Sequence, residues 1–324
     1  MELLLDTGLI VLGFILLIKG ADFMVTGASS FAKKFNVSEI AIGLTIVAMG
    51  TSAPELVVNL VSGSQGLDDV VFGNLIGSNI FNLFFILGIA GVIRPLVVQS
   101  ETVWKEIPFG MALVIILFIL VNDVFFFGSE ENSAGLIDGF ILLLLFVAFI
   151  YYVFYNVKNN SDVIETNVKE TPIYNHWVTL LMILGGITGL VIGGKLVVDN
   201  AVEIARSFEL SEKLIGLTIL AAGTSLPELA TSAVAAFRNR ADIAIGNVIG
   251  SNIFNLTFIL GINSLVTPLN FNTEMNFDFF VLIGGSIMLF IFMFTLKSKK
   301  LDRWEAVLYL ITFIAYVCYI FIRK

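Results

Sequence analysis

Residues 48–55 read AMGTSAPE and residues 221–228 read AAGTSLPE. Each octet lies inside a long apolar segment and sets a proline directly before a glutamate, two residues that a plain membrane helix avoids. The likeness runs outward from both. Phe35–Gly88 aligns without gaps on Phe208–Gly261 at an offset of 173, with 31 of the 54 positions identical. The first copy contains GLTIVAMGTSAPEL and GNLIGSNIFNLFFILG, and the second contains GLTILAAGTSLPEL and GNVIGSNIFNLTFILG. Chance does not produce a match of this length and density, so the chain carries an internal duplication.

The duplication sits in a chain composed for lipid. Of the 324 residues 57% are hydrophobic and 14% charged, and the mean hydropathy is +0.96, whereas a soluble domain carries about 25% charged residues. Segments long enough to span a bilayer fall near 5–31, 39–64, 70–93, 103–121, 135–155, 177–206, 212–236, 242–266, 276–296 and 304–322. The first lacks a basic leader and outruns the core of a cleavable signal peptide, so it is read as a helix. Five spans accompany each copy, and an odd number makes the second copy enter the membrane from the opposite side. The expected fold is therefore an all-α membrane protein of ten transmembrane helices in two inverted-topology five-helix repeats. Residues 1–157 form the N-terminal repeat, 158–172 a cytoplasmic linker and 173–324 the C-terminal repeat. The polar stretch Lys158–Pro172 is too short to fold alone.

Positive residues set the orientation. With the N-terminus outside, Lys33, Lys34, Arg94, Lys105, Lys158, Lys169, Arg238, Arg240, Lys297, Lys299, Lys300 and Arg303 fall in cytoplasmic loops. Arg206, Lys213, Arg323 and Lys324 fall outside, and Lys19 and Lys195 lie within apolar segments. This predicts a multi-pass protein of the cell membrane with both termini extracytoplasmic. Trp104, Trp177 and Trp304 each stand at the cytoplasmic start of a span, where interfacial aromatics collect.

The octets carry the chemistry. Pro54 has no amide hydrogen and crowds the carbonyl four residues back, so the second span should break at Gly50–Pro54 and free backbone oxygens in mid-membrane; Pro227 does the same in the seventh. Ala48, Thr51, Ser52 and Glu55 share one helix face, as do Ala221, Thr224, Ser225 and Glu228. In the third and eighth spans, Ser78 with Asn82 and Ser251 with Asn255 are spaced to present oxygens on one stripe. Two carboxylates, freed carbonyls, hydroxyls and amides form a hard-oxygen set that suits Ca2+ and equally Na+, with nothing soft enough for copper or zinc. A carboxylate at mid-bilayer costs about 2.5–3.5 kcal/mol on insertion scales, and two facing one another demand a counter-cation.

Other features read more blandly. Gly73 with Gly77 and Gly246 with Gly250 let helices approach closely. Asn79 and Asn252 read equally as site residues or as hydrogen-bonding glue between helices. Lys195 with Asp199, and Lys19 with Asp22, read as pairs or as snorkelling side chains. Asp68, Asp69, Glu130 and Glu131 read as solvated loop residues. One cysteine, Cys318, and one histidine, His176, exclude a disulfide framework, a metal centre built from those residues and a catalytic triad. The net charge of −8 comes without the basic patch of a nucleic-acid partner.

With GTSAPE, GTSLPE and two copies of GSNIFN in place, the chain resembles the cation/Ca2+ exchanger superfamily over its whole length, and in particular its prokaryotic Na+/Ca2+ exchanger branch. The resemblance implies that Glu55 and Glu228 ligate Ca2+ centrally, completed by the carbonyls of Thr51 and Thr224. It implies flanking Na+ sites at Ser52, Ser78, Ser225 and Ser251 with the carbonyls of Ala48 and Ala221, and Asn82 and Asn255 beside the middle, holding water or an ion. Asn255 stands where K+-dependent relatives carry aspartate, and the short linker leaves no room for a separate Ca2+-sensing domain. The implied activity is secondary active antiport of Na+ against Ca2+ by alternating access, extruding Ca2+. Two fixed charges are neutralised by Ca2+ and left at +1 by three Na+, hence electrogenic exchange. The long, glycine-bearing first and sixth spans are the sliding pair. The expected partners are Ca2+ and Na+ as substrates and the lipid bilayer, in a monomer with no cofactor. H+/Ca2+ exchange, K+-dependent Na+/Ca2+ exchange and a channel stay open as rivals; an enzyme has neither usable histidine nor cysteine.

Overall fold

A chain immersed in hydrocarbon must satisfy its backbone groups internally, and long helices are the means. The structure, a computed structural model, describes residues 2–159, 172–208, 221–295 and 299–322. Its helices are α1 (Glu2–Phe35), α2 (Glu39–Thr51), α3 (Ala53–Ser64), α4 (Asp68–Ile93), α5 (Thr102–Val121), α6 (Leu136–Asn159), α7 (His176–Ser207), α8 (Ala221–Thr224), α9 (Leu226–Phe237), α10 (Ala241–Val266), α11 (Asn276–Phe292) and α12 (Arg303–Ile322). Among the described residues eight helices are long and apolar enough to cross a membrane, and α2 with α3, bent by 48°, makes a ninth. Of the expected seventh span only α8 and α9 are described, because residues 212–220 lie outside the described set. So do most of the expected linker and Lys169, Lys213, Lys297, Arg323 and Lys324; Lys158 and Asn159 continue α6.

The two helices carrying GSNIFN form the centre. The most apolar stretch of α10 is 89% buried and that of α4 67%, against 17% for α12, so α12 presents most of its surface outward. Glycines set the close contacts. Gly246 and Gly250 bring α10 onto α2, with Gly246 against Gly43 and Gly250 against Leu44 and Ala48. A methyl group at either glycine would meet backbone at 2.6–3.0 Å, so the small residues are what permit the crossing. The equivalent neighbours of Gly73 and Gly77 lie outside the described residues. Along α1, Gly13, Gly20 and Gly27 recur every seventh residue and pack on α7 around Gly186 and Gly193. This seam makes α1 and α7 a tightly fitted pair.

Two features were not foreseen. Leu96–Val97 (β1) pairs antiparallel with Lys300–Leu301 (β4), and Ser133–Ala134 (β2) pairs with Leu269–Asn270 (β3). These two-residue ladders tie loops of the first part of the chain to loops of the second. The ion pairs also differ from expectation. Asp22 pairs with Arg238 rather than Lys19, tying α1 to the end of α9, and Arg240 pairs with Glu39 at 3.0 Å. Lys195 and Asp199 are exposed and form no ion pair with each other among the described residues. Asp68 is not simply solvated, since it accepts hydrogen bonds from the backbone and side chain of Asn270.

Candidate functional site

The expected breaks occur where the prolines stand. The helical ladder of α2 stops after Thr51, Ser52 takes φ −82° and ψ 9°, and α3 begins at Ala53. In the other half Ser225 takes φ −91° and ψ 8° between α8 and α9. Pro54 and Pro227 supply no N–H to the carbonyls of Gly50 and Gly223, and the ladder also skips the carbonyls of Thr51 and Thr224. Four backbone oxygens are thereby released at the core of the molecule. Glu55 and Glu228 follow in the first turns of α3 and α9, where the helix N-terminus favours negative charge.

Both glutamates are buried, at 1% and 0% exposure, and lie close enough to repel one another. Each takes a hydroxyl from the opposite half. Ser225 Oγ donates to Glu55 Oε1 at 3.1 Å, and Ser52 Oγ donates to Glu228 Oε1 at 2.7 Å. Ser78 Oγ lies 3.2 Å from Ser225 Oγ, and Ser251 lies beside Glu228. The remaining oxygens are open: Glu55 Oε2, Glu228 Oε2, Ser251 Oγ, Asn82 Oδ1 and Asn255 Oδ1 are buried without a hydrogen-bond partner. Among the described residues neither carboxylate forms an ion pair with a lysine or arginine. Buried polar atoms are normally satisfied, and four of these five oxygens only accept, so the set suits a cation or a hydrogen-bond donor.

Asn82 is the second residue, and Asn255 the first, of the widened, π-helical turns of α4 and α10, a distortion frequent at functional positions. The glue reading of Asn79 and Asn252 is the one that the contacts bear out. Asn79 Nδ2 donates to the Asn252 carbonyl at 3.4 Å and Asn252 Nδ2 to the Asn79 carbonyl at 3.3 Å. Ala48 O already accepts the Ser52 N–H at 3.0 Å, so it is less free than the Thr51 carbonyl. The backbone of Ala221 opens α8.

Residues 5–155 and 178–322 match the family model described as sodium/calcium exchanger protein. The chain belongs to the sodium/calcium exchanger family. The relatives of this exchanger include the putative antiporter CaxA of Alkalimonas amylolytica, 35% identical over 316 residues that cover 97% of this chain and 98% of that protein. The sodium/calcium exchanger MaX1 of Methanosarcina acetivorans is 30% identical, covering 97% of both. A solved structure of the sodium-calcium exchanger NCX_Mj, soaked with Na+ and Ca2+, superposes with a TM-score of 0.82 at 33% identity, covering 97% of this chain and 98% of that one. Family and fold together make this chain a membrane transporter of the Ca2+ exchange antiport class rather than an enzyme. Among the described residues of this exchanger no three His, Cys, Asp or Glu side chains gather to hold a metal.

Several supporting residues of the exchanger escaped the sequence reading. Asn247 accepts the Thr51 hydroxyl at 3.0 Å and donates to the Glu228 carbonyl and to Ser232, while Asn74 accepts from Thr224 at 3.4 Å. Asn59 donates to the Glu55 carbonyl at 2.7 Å. Asn74 and Asn247 are identical in the two copies, which was the available signal; position 59 becomes Ser232 in the second copy, which hid it. Glu106 is a further buried carboxylate, accepting from Tyr152 and lining a cavity shared with Asn252.

Proposed function

We propose that this chain exchanges Na+ for Ca2+ by alternating access, electrogenically and in the direction of Ca2+ extrusion. One observation carries the reading: two buried glutamates, one from each copy of the repeat, each keep an open oxygen, and among the described residues no lysine or arginine pairs with either. Glu55, Glu228 and the carbonyls of Thr51 and Thr224 take the Ca2+; Ser52, Ser78, Ser225 and Ser251, with the Ala48 and Ala221 carbonyls, take Na+; Asn82 and Asn255 face the middle. Oxygen ligands in flexible geometry suit Ca2+, and the same two charges accept several Na+ in its place. Since an unoccupied pair of buried charges is the costly state, only the loaded transporter changes the side to which it opens.

The reading includes ten crossings in two inverted five-helix halves, residues 1–157 and 173–324. Loop pairings support the count. Between β1 and β4 the chain runs through α5, α6, α7, residues 209–237, α10 and α11. Paired strands lie on one side, and an even number of crossings between them is what the reading of ten spans supplies. The β2–β3 ladder and the Arg240–Glu39 ion pair fit the same parity. The side that holds Glu39 and Arg240 is the cytoplasmic one by its lysines and arginines, which leaves both termini outside the cell membrane. Because each half completes the other's glutamate within one chain, the site needs no second copy, which supports a monomer.

Uptake of 45Ca2+ into liposomes containing the purified protein, driven separately by Na+, K+ and H+ gradients, tests the coupling. Only an outward Na+ gradient is expected to drive uptake, with a rate that follows membrane potential. Uptake that follows pH and ignores Na+ would assign the site to H+/Ca2+ exchange.

A further inference from the structure

Asn82 and Asn255 keep their amide oxygens open because their amide nitrogens are taken. Asn82 Nδ2 donates to Asn252 Oδ1 at 3.0 Å, and Asn255 Nδ2 donates to Asn79 Oδ1 at 3.2 Å. The two acceptors are held in turn: each of Asn79 and Asn252 donates its own Nδ2 to the other's backbone carbonyl. Asn79 and Asn252 thus close a pseudo-symmetric ring of two reciprocal bonds, with Asn82 and Asn255 each tied to one of its members, so that each of the four amide N–H2 groups has a partner. Asn79, Asn82 and Asn255 are buried and Asn252 half-buried. An amide can turn either its oxygen or its nitrogen toward a neighbour, and only the oxygen attracts a cation. The ring removes that choice.

We propose that Asn79 and Asn252 are positioning residues, which act on the exchanged ions through Asn255 and Asn82 by fixing their oxygens toward the site. The proposal rests on the Na+/Ca2+ reading of that site. It has a mechanical consequence as well. Each tie joins one half of the chain to the other, Asn252 to Asn82 and Asn79 to Asn255, so these two ligands keep their mutual geometry while other helices move. An amide in this ring takes up no proton, so the ring contributes fixed dipoles at every working pH.

The test is Na+-dependent 45Ca2+ uptake by the full-length protein in liposomes, read separately as half-saturating Na+ concentration and maximal rate. Leucine resembles asparagine in size and lacks the acceptor, whereas aspartate keeps it. Asn79→Leu is expected to raise the half-saturating Na+ concentration about ten-fold, the loss of one buried hydrogen bond, with the maximal rate within about two-fold; Asn79→Asp, which keeps the acceptor for Asn255 but loses the Nδ2 bond to the Asn252 carbonyl, is expected to raise it less. In an Asn255→Ala background, Asn79→Leu is expected to add less than about two-fold, because its path to the ion is already cut. Equal losses for leucine and aspartate, or an undiminished loss in the Asn255→Ala background, overturn the proposal. If Asn79→Leu does not fold, Asn79→Ser, too short to reach Asn255, takes its place with the same expectations. Glu228→Gln separates the two claims: exchange that survives it defeats the site reading itself, whereas exchange lost there but unchanged in Asn79→Leu defeats only the ring.

Discussion

Glu55 and Glu228 are held by groups from across the molecule, and the strongest single support is Asn247. Its amide receives the Thr51 hydroxyl, holds the Glu228 carbonyl and reaches Ser232, so it fixes both sides of the site at once. Asn247→Leu removes all three of these buried bonds, and although the Thr51 hydroxyl keeps the Ala48 carbonyl as an acceptor, a buried group left unpaired costs about 1–3 kcal/mol. We expect a clear drop in melting temperature of the detergent-purified protein, and Na+-dependent uptake reduced at least about ten-fold. An unchanged melt would show that Asn247 bears no such load. The glutamates, serines and Asn82 with Asn255 were legible in the sequence because they recur at helical spacing in both copies. The carriers of second contacts were not, since which amide reaches which carbonyl depends on the packing of α4, α9 and α10 and leaves no periodic trace.

The broken span is the element on which the site depends. Its 48° bend between α2 and α3 follows from one missing N–H at Pro54. Pro54→Ala restores that donor to the Gly50 carbonyl and lets the helix run on, drawing the Thr51 carbonyl back into the ladder. Na+-dependent uptake should fall at least about ten-fold while the melting temperature holds, because Pro54 stands in the first turn of α3, where proline costs the helix little; undiminished uptake would show that the break is incidental. Nine of the ten expected spans were read from hydropathy to within about four residues, the seventh lying partly outside the described residues, and the break was read from its proline. The π-helical turns were not, since a slip of the hydrogen-bond ladder by one residue needs no particular sequence. Nor were the ladders β1–β4 and β2–β3, each too short for alternation to show.

At the scale of the molecule, two copies of one sequence lie around a shared centre, with α1 and α7 as a fitted pair beside it. The pair does not sit evenly. α1 packs along α9 and is tied to its end by Asp22–Arg238, whereas among the described residues α7 has no comparable packing along α3. That unevenness is what a transporter caught facing one side would present, and it had no counterpart in the sequence, where the copies look interchangeable. The ion pair is half-exposed, and such pairs contribute about 0–1 kcal/mol. The claim under all of this is that Glu55 and Glu228, one from each half, jointly hold the transported cation. Na+-driven 45Ca2+ uptake by Glu55→Gln and Glu228→Gln in liposomes tests it most directly. Each variant alone should fall to the level of protein-free liposomes while folding as wild type does; full Na+-driven uptake by either would contradict the account.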